Sequence, residues 1–173
     1  MNINEFKARL GTGGARPNQF RVLLGFPNYV TAQGTDPSFS LLVTGAALPA
    51  STVNPTVIQY RGREVKMAGE RIFDPWTITI VNDSKQSLRR AFEQWMEGMN
   101  GKANNQGRLN PNEYQADVVV EHLDRNDKVL PGGTYTLRDA FPIQMSEIAL
   151  AYSQNDILEE FTVTFQYQHY DVI

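Results

Sequence analysis

The sequence predicts a mainly β fold (α+β class), an antiparallel β-sandwich or barrel with one α-helix packed against it. Residues 76–81 alternate Trp and Ile with Thr and Val, and residues 161–168 alternate Phe, Val and Tyr with Thr and Gln. This period of two is typical of half-buried strands. Residues 83–98 instead repeat apolar side chains three and four apart, which indicates an amphipathic helix. Gly, Pro, Asn and Asp separate short apolar runs elsewhere, as turns between strands do.

Length and composition limit the class of protein. With 173 residues, the chain is expected to form a single domain, residues 1–173, with a substantial core. Its net charge of −3 argues against a basic nucleic-acid-binding protein. The absence of cysteine excludes disulfides and thiolate metal sites. We expect no membrane segment and no signal peptide, because no apolar run approaches the roughly 20 residues that a membrane helix needs.

The N-terminal residues predict a short amphipathic helix, because Ile3, Phe6 and Leu10 share one helical face. We assign residues 1–16 to an N-terminal arm, which could dock on its own domain or reach a neighbouring subunit. The glycine run at 11–15 does not predict a phosphate-binding loop, since no strand precedes it and no Gly-Lys-Ser follows. Further strands are predicted at residues 19–26, 39–44, 56–60, 63–67, 114–123, 134–141 and 144–152.

A projecting hairpin is predicted at about residues 55–70. Arg61-Gly62 fits a two-residue hairpin turn. Charged residues are frequent around this turn and large apolar residues are few, so we expect the hairpin to extend away from the core.

The helix at about 83–98 has the most regular helical pattern in the chain. Asp83 and Gln86 form a capping-box pair at its start, and glycines at 98 and 101 suit its end. Its apolar stripe predicts core packing and consists of Leu88, Ala91, Phe92, Trp95, Met96 and Met99.

No arrangement of residues predicts catalysis, a metal or a cofactor. The two histidines, His122 and His169, do not complete a zinc site, and we place His169 on the apolar side of the last strand. Glu159 and Glu160 are adjacent, so a strand would point their side chains to opposite faces, which is poor geometry for an acid/base pair. No glycine pattern of a nucleophile elbow surrounds any serine.

The second face of the two alternating strands is unusual, because it consists of Thr and Gln and is almost uncharged. Strands that face water usually carry more Lys and Glu, partly to block pairing with other chains. A weakly charged face on two separate strands fits a sheet that neighbouring subunits complete, with successive chains forming one barrel around a channel. An ordinary Thr-rich solvent face is the alternative.

Five sequence blocks occur in a characteristic order: ARPNQF at 15–20, ALPA at 47–50, AGERIFDPWTITIVND at 68–83, RAFEQW at 90–95 and FTVTF at 161–165. Their order and spacing resemble the tail tube proteins of contractile-tailed (myovirus) bacteriophages. That family is related to the ring and tube proteins of contractile injection systems and type VI secretion. The resemblance extends over essentially the whole chain, and the 68–83 block followed by its helix is the most specific part.

The resemblance implies a structural virion protein of the phage tail, assembled in the host cytoplasm. Hexameric rings with a continuous inner β-barrel would stack into the inner tail tube, enclose the tape measure protein and conduct DNA into the host. The other implied partners are the sheath, baseplate and tail terminator proteins. DNA would pass without specific binding, and no enzyme activity, cofactor or membrane is implied.

The resemblance also places candidate assembly residues. The hairpin, the 47–55 segment and the N-terminal arm would bridge subunits or rings. The contact candidates are Phe6, Arg16, Tyr60, Arg61, Arg63, Glu64, Lys66, Glu70 and Arg71. The pattern of alternation supplies the candidates for the lumen or the inter-subunit sheet, which are Thr77, Thr79, Thr162, Thr164, Gln166 and Gln168. The loop at 27–37 is longer than the family's shorter versions.

Three other functions remain open at the level of sequence. The tube of a phage-derived extracellular contractile injection system would have the same architecture but deliver protein cargo. A carbohydrate- or protein-binding β-sandwich would be a monomer that forms no tubes. A hydrolase would need a reactive pocket.

Overall fold

Strands dominate the computed structural model, which describes residues 2–11 and 14–173, apart from the side chain of Gln33. The strands are β1 (Phe20–Leu24), β2 (Val43–Ala46), β3 (Ser51–Tyr60), β4 (Arg63–Phe73), β5 (Trp76–Val81), β6 (Ala116–Leu123), β7 (Val129–Met145), β8 (Glu160–Gln166) and β9 (His169–Val172). The α-helices are α1 (Ile3–Leu10), α2 (Ser87–Met99) and the single turn α3 (Pro111–Tyr114). The predicted mainly β class is confirmed.

Seven strands form one antiparallel sheet in the order β1-β6-β7-β8-β5-β2, and β9 pairs with β7 on the edge opposite β6. The long strand β7 belongs to both halves of this sheet. Its first part pairs with β6 and β9, whereas Phe141–Met145 pairs with β8. Asp139, with φ of +53°, lies between the two parts, a conformation that short polar residues tolerate better than most. Both halves contribute to one hydrophobic core.

Helix α2 packs its apolar side against the sheet and contributes to this core. Its Leu88, Ala91, Phe92 and Trp95 are buried, as the stripe predicted. The rings of Phe92 and Trp95 lie 5.8 and 6.1 Å from that of Phe165 on β8, both edge-on, an arrangement that aromatic quadrupoles favour. The indole Nε1 of Trp95 donates a 2.6 Å hydrogen bond to the Tyr114 carbonyl, which removes the cost of burying an unpaired donor.

The start of α2 differs from the predicted capping box. The helix begins at Ser87, and Gln86 precedes it in a left-handed conformation without a side-chain cap. The Asp83 carboxylate accepts hydrogen bonds from the backbone N and the hydroxyl of Ser87, at 2.6 and 2.7 Å. Asp83 therefore stabilises the first turn. Its carboxylate bonds to the residue four positions later, however, whereas the side chain in a capping box bonds to the residue three positions later.

The strand predicted at 39–44 is wrong over its first four residues, because Pro37–Leu42 forms a 3₁₀ helix. Asp36 caps this helix by accepting from Ser38 N at 2.8 Å, and Pro37 favours the first helical position. Of the predicted segment, only residues 43 and 44 are in a strand, where they begin β2. The loop before it is fixed on α2 by Gln94, whose Oε1 accepts from the backbone N of Thr31 and Ala32.

Other elements also differ from the prediction in where they begin or end. The hairpin is longer than predicted, and α3 ends at Tyr114, where a strand was predicted to begin. The strand predicted at 144–152 is wrong beyond Met145. The final strand is split, since β8 ends at Gln166 and β9 pairs with β7. His169 is exposed on β9 rather than on the apolar side of the last strand.

Candidate assembly interface

The threonines of β5 and β8 form one patch on the face of the sheet opposite the core. Thr77 pairs with Thr164 and Thr79 with Thr162 in the antiparallel register, and the Thr77 and Thr164 hydroxyls lie 2.9 Å apart. The intervening residues are buried, while these four are exposed or half-buried. The predicted two-faced character of both strands is confirmed.

This outer face is almost without charge over four neighbouring strand segments, namely β2, β5, β8 and residues 141–145 of β7. None of their residues is Lys or Arg, and Glu160 is the only charged residue among them. Gln166 shares the face as half-buried. Gln168 is exposed and follows the end of β8, and its backbone N donates to the Arg138 carbonyl at 3.1 Å.

The same four segments end in two free edges. Strand β2 pairs with β5 on one side only, and residues 141–145 pair with β8 on one side only, among the strands of residues 2–11 and 14–173. A free edge presents a row of backbone N–H and C=O groups that another strand can pair with. Both edges are short and uncharged, so neither carries the lysines that block pairing.

The hairpin β3–β4 projects from the body. Its turn at Arg61-Gly62 has positive φ at both residues, 46° and 79°, which confirms the predicted two-residue turn. Every residue from Thr52 to Ile72 except Gly69 is exposed. The candidates Tyr60, Arg61, Arg63, Glu64, Lys66, Glu70 and Arg71 all lie in this exposed range.

One face of the hairpin is apolar, contrary to the expectation of few large apolar residues. Residues opposite each other in an antiparallel pair share a face, and the pairs Ile58–Val65 and Thr56–Met67 lie together. Tyr60, Ile58, Val65, Met67 and Ile72 are each 43–62% exposed. The other face bears polar pairs such as Gln59–Glu64. Reading the two arms outward from the Arg61-Gly62 turn would have shown this from sequence.

The base of the hairpin is held by aromatic side chains. The ring of Phe73 lies 5.9 Å from that of Tyr167 and 5.7 Å from that of Tyr170. The hydroxyl of Tyr167 donates to the Ala50 carbonyl at 3.3 Å. Burial raises the pKa of this Tyr167 hydroxyl. The hairpin is thus rooted firmly at one end and free along its length.

The N-terminal arm has its own unpartnered stripe. Asn2 caps α1 by accepting from Asn4 N at 3.1 Å, and the predicted helix at 3–10 is confirmed. None of the residues of α1 is buried, and Phe6 is 59% exposed. Arg16 lies close to the body, where its carbonyl is 2.8 Å from His122 Nε2.

The segment between β7 and β8 is a further exposed apolar region, and sequence reasoning did not identify it as a contact surface. Residues 149–160 are all exposed, and residues 148–160 line an open concavity of about 1060 Å³. The concavity contains Leu150, Tyr152, Ile157 and Leu158. A run of exposed apolar residues without Lys or Arg was the signal available in the sequence.

The polar clusters of the body hold strands together. Arg138 on β7 donates to Asp171 on β9 at 2.8 Å and to Asp117 on β6 at 2.6 Å. The first of these bonds holds the pKa of the Asp171 carboxyl below its usual range. In the part of the chain that the structure describes, no group of three or more His, Cys, Asp or Glu side chains could hold a metal. Nor is any described helix both long and apolar enough for a membrane crossing.

The sequence relationship identifies the class. A profile of the phage tail tube protein family matches residues 15–173, so this chain belongs to that family. The tail tube protein of Serratia phage KSP90 is 30% identical over 167 residues, covering 95% of this chain and 93% of that protein. The protein is a structural component of a contractile phage tail, and its family consists of tube-forming proteins rather than enzymes.

The fold agrees with solved tube assemblies. A chain of the sheath–tube complex of the extracellular contractile injection system PVC superposes with a TM-score of 0.63 and 14% identity, covering 96% of both chains. A chain of the sixfold-symmetrised baseplate of the anti-feeding prophage gives 0.60 and 17%, covering 92% of this chain and 95% of that one. At such low identity these likenesses show the fold alone, while the sequence relationship connects the chain with phage tails.

Proposed function

We propose that copies of this chain associate side by side into hexameric rings, in which strand pairing between neighbours closes the wall of the tube lumen. The observation that supports this most is the combination of two free edges with an uncharged outer face on the same four strand segments. A sheet whose face and edges stay in solvent would usually carry charged side chains, especially Lys, that block pairing. Rings then stack into the inner tube of the tail.

The direction of the closing strands follows from the topology. Residues 141–145, β8, β5 and β2 are each antiparallel to the next, so β2 runs opposite to residues 141–145. Rotation about a ring axis leaves strand direction unchanged relative to that axis. Strand β2 of one copy therefore lies antiparallel to residues 141–145 of the next copy, and the barrel continues with its alternation unbroken.

The outer face then lines the lumen. Thr77, Thr79, Thr162 and Thr164 form its centre, Gln166 lies beside them, and Gln168 belongs to the rim. A wall without Lys or Arg offers no sites that bind phosphates, each of which would add salt-dependent affinity for DNA. The lumen would enclose the tape measure protein during assembly and conduct DNA afterwards, without catalysis.

The other exposed regions have separate roles in this proposal. The hairpin and the N-terminal arm contact neighbouring subunits or rings. The surface around α2 lies on the far side of the core from the threonine patch, so it faces the sheath. Baseplate and terminator proteins would bind the exposed ends of the stacked rings.

Negative-stain microscopy of the purified protein is the first test. We expect annular particles and tubes with an open channel. A protein that stays monomeric under all conditions and in the presence of baseplate would contradict the proposal.

A lysine substitution tests the lumen assignment. The variant Thr162→Lys with Thr164→Lys should assemble into virions but eject DNA more slowly, with the delay shrinking at higher salt. The matched control, Asn28→Lys with Asn112→Lys, adds the same charge to exposed positions near α2 and should eject DNA normally. Equal rates of DNA ejection for the two variants would mean that the threonine face does not line the lumen.

A further inference from the structure

The apolar face of the hairpin has a basic tip. Arg61 is the first residue of the turn and Arg63 follows the turn, and the Arg61 guanidinium lies 5.5 Å from the centre of the Tyr60 ring. Behind this tip, the apolar face continues through Ile58, Val65 and Met67. A surface of this kind fits a partner that is apolar and acidic.

The segment from 147 to 160 has the complementary chemistry. It contains four acidic residues and no Lys or Arg, and the acids are Glu147, Asp156, Glu159 and Glu160. Its apolar side chains are among the most exposed in the chain, with Leu150 at 79% and Leu158 at 73%. The concavity of about 1060 Å³ that this segment lines is open, so a protruding element can enter it.

The two surfaces lie at opposite ends of the same sheet. The hairpin joins the body just before Trp76, which pairs with Phe165 at one end of β5 and β8. The acidic segment leads into Glu160, which pairs with Val81 at the other end. The length of β5, about 20 Å, therefore separates the base of the hairpin from this segment, and no hairpin residue lines the concavity of its own chain.

We propose that the hairpin of one copy inserts its apolar face into the concavity formed by residues 148–160 of a copy in the adjacent ring. Complementary surfaces at opposite ends of one subunit produce head-to-tail contacts that repeat without limit, which is the geometry of stacked rings. The apolar residues bind, and Arg61 and Arg63 select the acidic end over other surfaces. This inference rests on the proposed tube and names the contact that stacks its rings.

Cross-linking tests the contact directly. The chain has no cysteine, so an introduced pair provides its only thiols. Tubes of Tyr60→Cys with Leu158→Cys, treated with a short bis-maleimide, should give a ladder of covalent multimers on a denaturing gel. The control pair, Tyr60→Cys with Asn28→Cys, keeps the hairpin thiol and moves its partner to the α2 side; it should give almost no ladder.

The outcomes separate the two proposals. Tubes that give no ladder, or equal ladders for both pairs, would overturn the hairpin contact and leave the tube itself standing. A wild-type protein that forms no rings or tubes under any condition would overturn both.

A charge exchange provides a second test that does not depend on thiols. The variant Arg61→Glu with Arg63→Glu should reduce the yield of tubes at least tenfold. Adding Glu147→Lys and Asp156→Asn should recover most of that yield, whereas adding Asn28→Lys and Asn112→Lys should not. Failure of the first addition to raise the yield above that of the hairpin variant alone would also overturn the contact.

Discussion

The main sheet and the hairpin are both antiparallel β-structure with one apolar face, yet only the sheet covers that face within its own chain. The inner residues of β5 and β8 are buried beneath α2, whereas Ile58, Val65 and Met67 of the hairpin face outward. A lone two-stranded hairpin is marginally stable at best in water. The body therefore stabilises the subunit, and the contact proposed for the hairpin would cover its apolar face only in the assembly.

The largest loss of stability should come from a substitution in the buried core beneath the main sheet. Replacing Trp95 with Ala removes a fully buried ring and should lower the free energy of unfolding by about 3–5 kcal/mol. Denaturant unfolding of the unassembled protein measures this change. Arg90→Ala, on the exposed side of the same helix, should change it by no more than about 0.5 kcal/mol. Similar losses for both variants would mean that α2 does not organise the core.

Alkaline pH should weaken the same region. Burial raises the pKa of Tyr29 from 10.0 to about 12, partly offset by the nearby Arg108, and its hydroxyl donates to the Trp95 carbonyl at 2.7 Å. Because the folded pKa is the higher one, this stabilisation is present below pH 10 and is lost as the pH rises towards 12.

Unfolding curves across this pH range, compared with those of Tyr29→Phe, would measure the effect. The substituted protein should lose less stability between pH 10 and 12 than the wild type. Identical pH dependence in the two proteins would show that Tyr29 ionises freely and does not fix the loop on α2.

Substitutions on the apolar face of the hairpin should have the opposite effect, with little change in subunit stability and a large change in assembly. Changing Ile58 and Val65 to Thr replaces a cross-strand apolar pair that contributes about 0.2–1 kcal/mol, so the unassembled subunit should unfold almost as before. Tube formation, followed by light scattering, should nevertheless be lost or strongly delayed. Normal assembly of this variant would show that the apolar face of the hairpin is not a contact.

Hydrogen exchange offers a finer comparison of the two regions. Amides of β5 and β8 should be protected both in free subunits and in tubes, since their core does not depend on neighbours. Hairpin amides should exchange quickly in free subunits and become protected in tubes. Strong protection of hairpin amides in free subunits would mean that the hairpin, like the main sheet, is stable without a neighbouring copy.

The sequence predicted those parts of the fold in which one local signal agrees with the burial that packing requires. The alternation at 76–81 and the stripe on α2 are correct because large apolar residues mark the inner face without competition. The run at 39–42 was misread because its apolar residues resemble a strand, while the cap from Asp36 and the proline after it favour a 3₁₀ turn. The strand predicted over 161–168 is interrupted after Gln166, beside the point where its partner β7 has the positive φ of Asp139.

Assembly surfaces were harder to predict because they depend on pairing partners distant in sequence. The charges of the hairpin hid its apolar face, although the predicted turn at Arg61-Gly62 already implies the pair Ile58–Val65. The threonine patch was found from alternation alone, but the two free edges on which its proposed role depends became evident only with the strand order. The acidic segment after β7 resembled a strand in its apolar content.

A reconstruction of assembled tubes at side-chain resolution would show whether strand pairing between neighbouring copies completes the wall. We expect β2 of one subunit to be hydrogen-bonded, antiparallel, to residues 141–145 of the next, with Thr77, Thr79, Thr162 and Thr164 facing the channel. A tube in which either edge stays unpaired, or in which these threonines face the sheath, would contradict it.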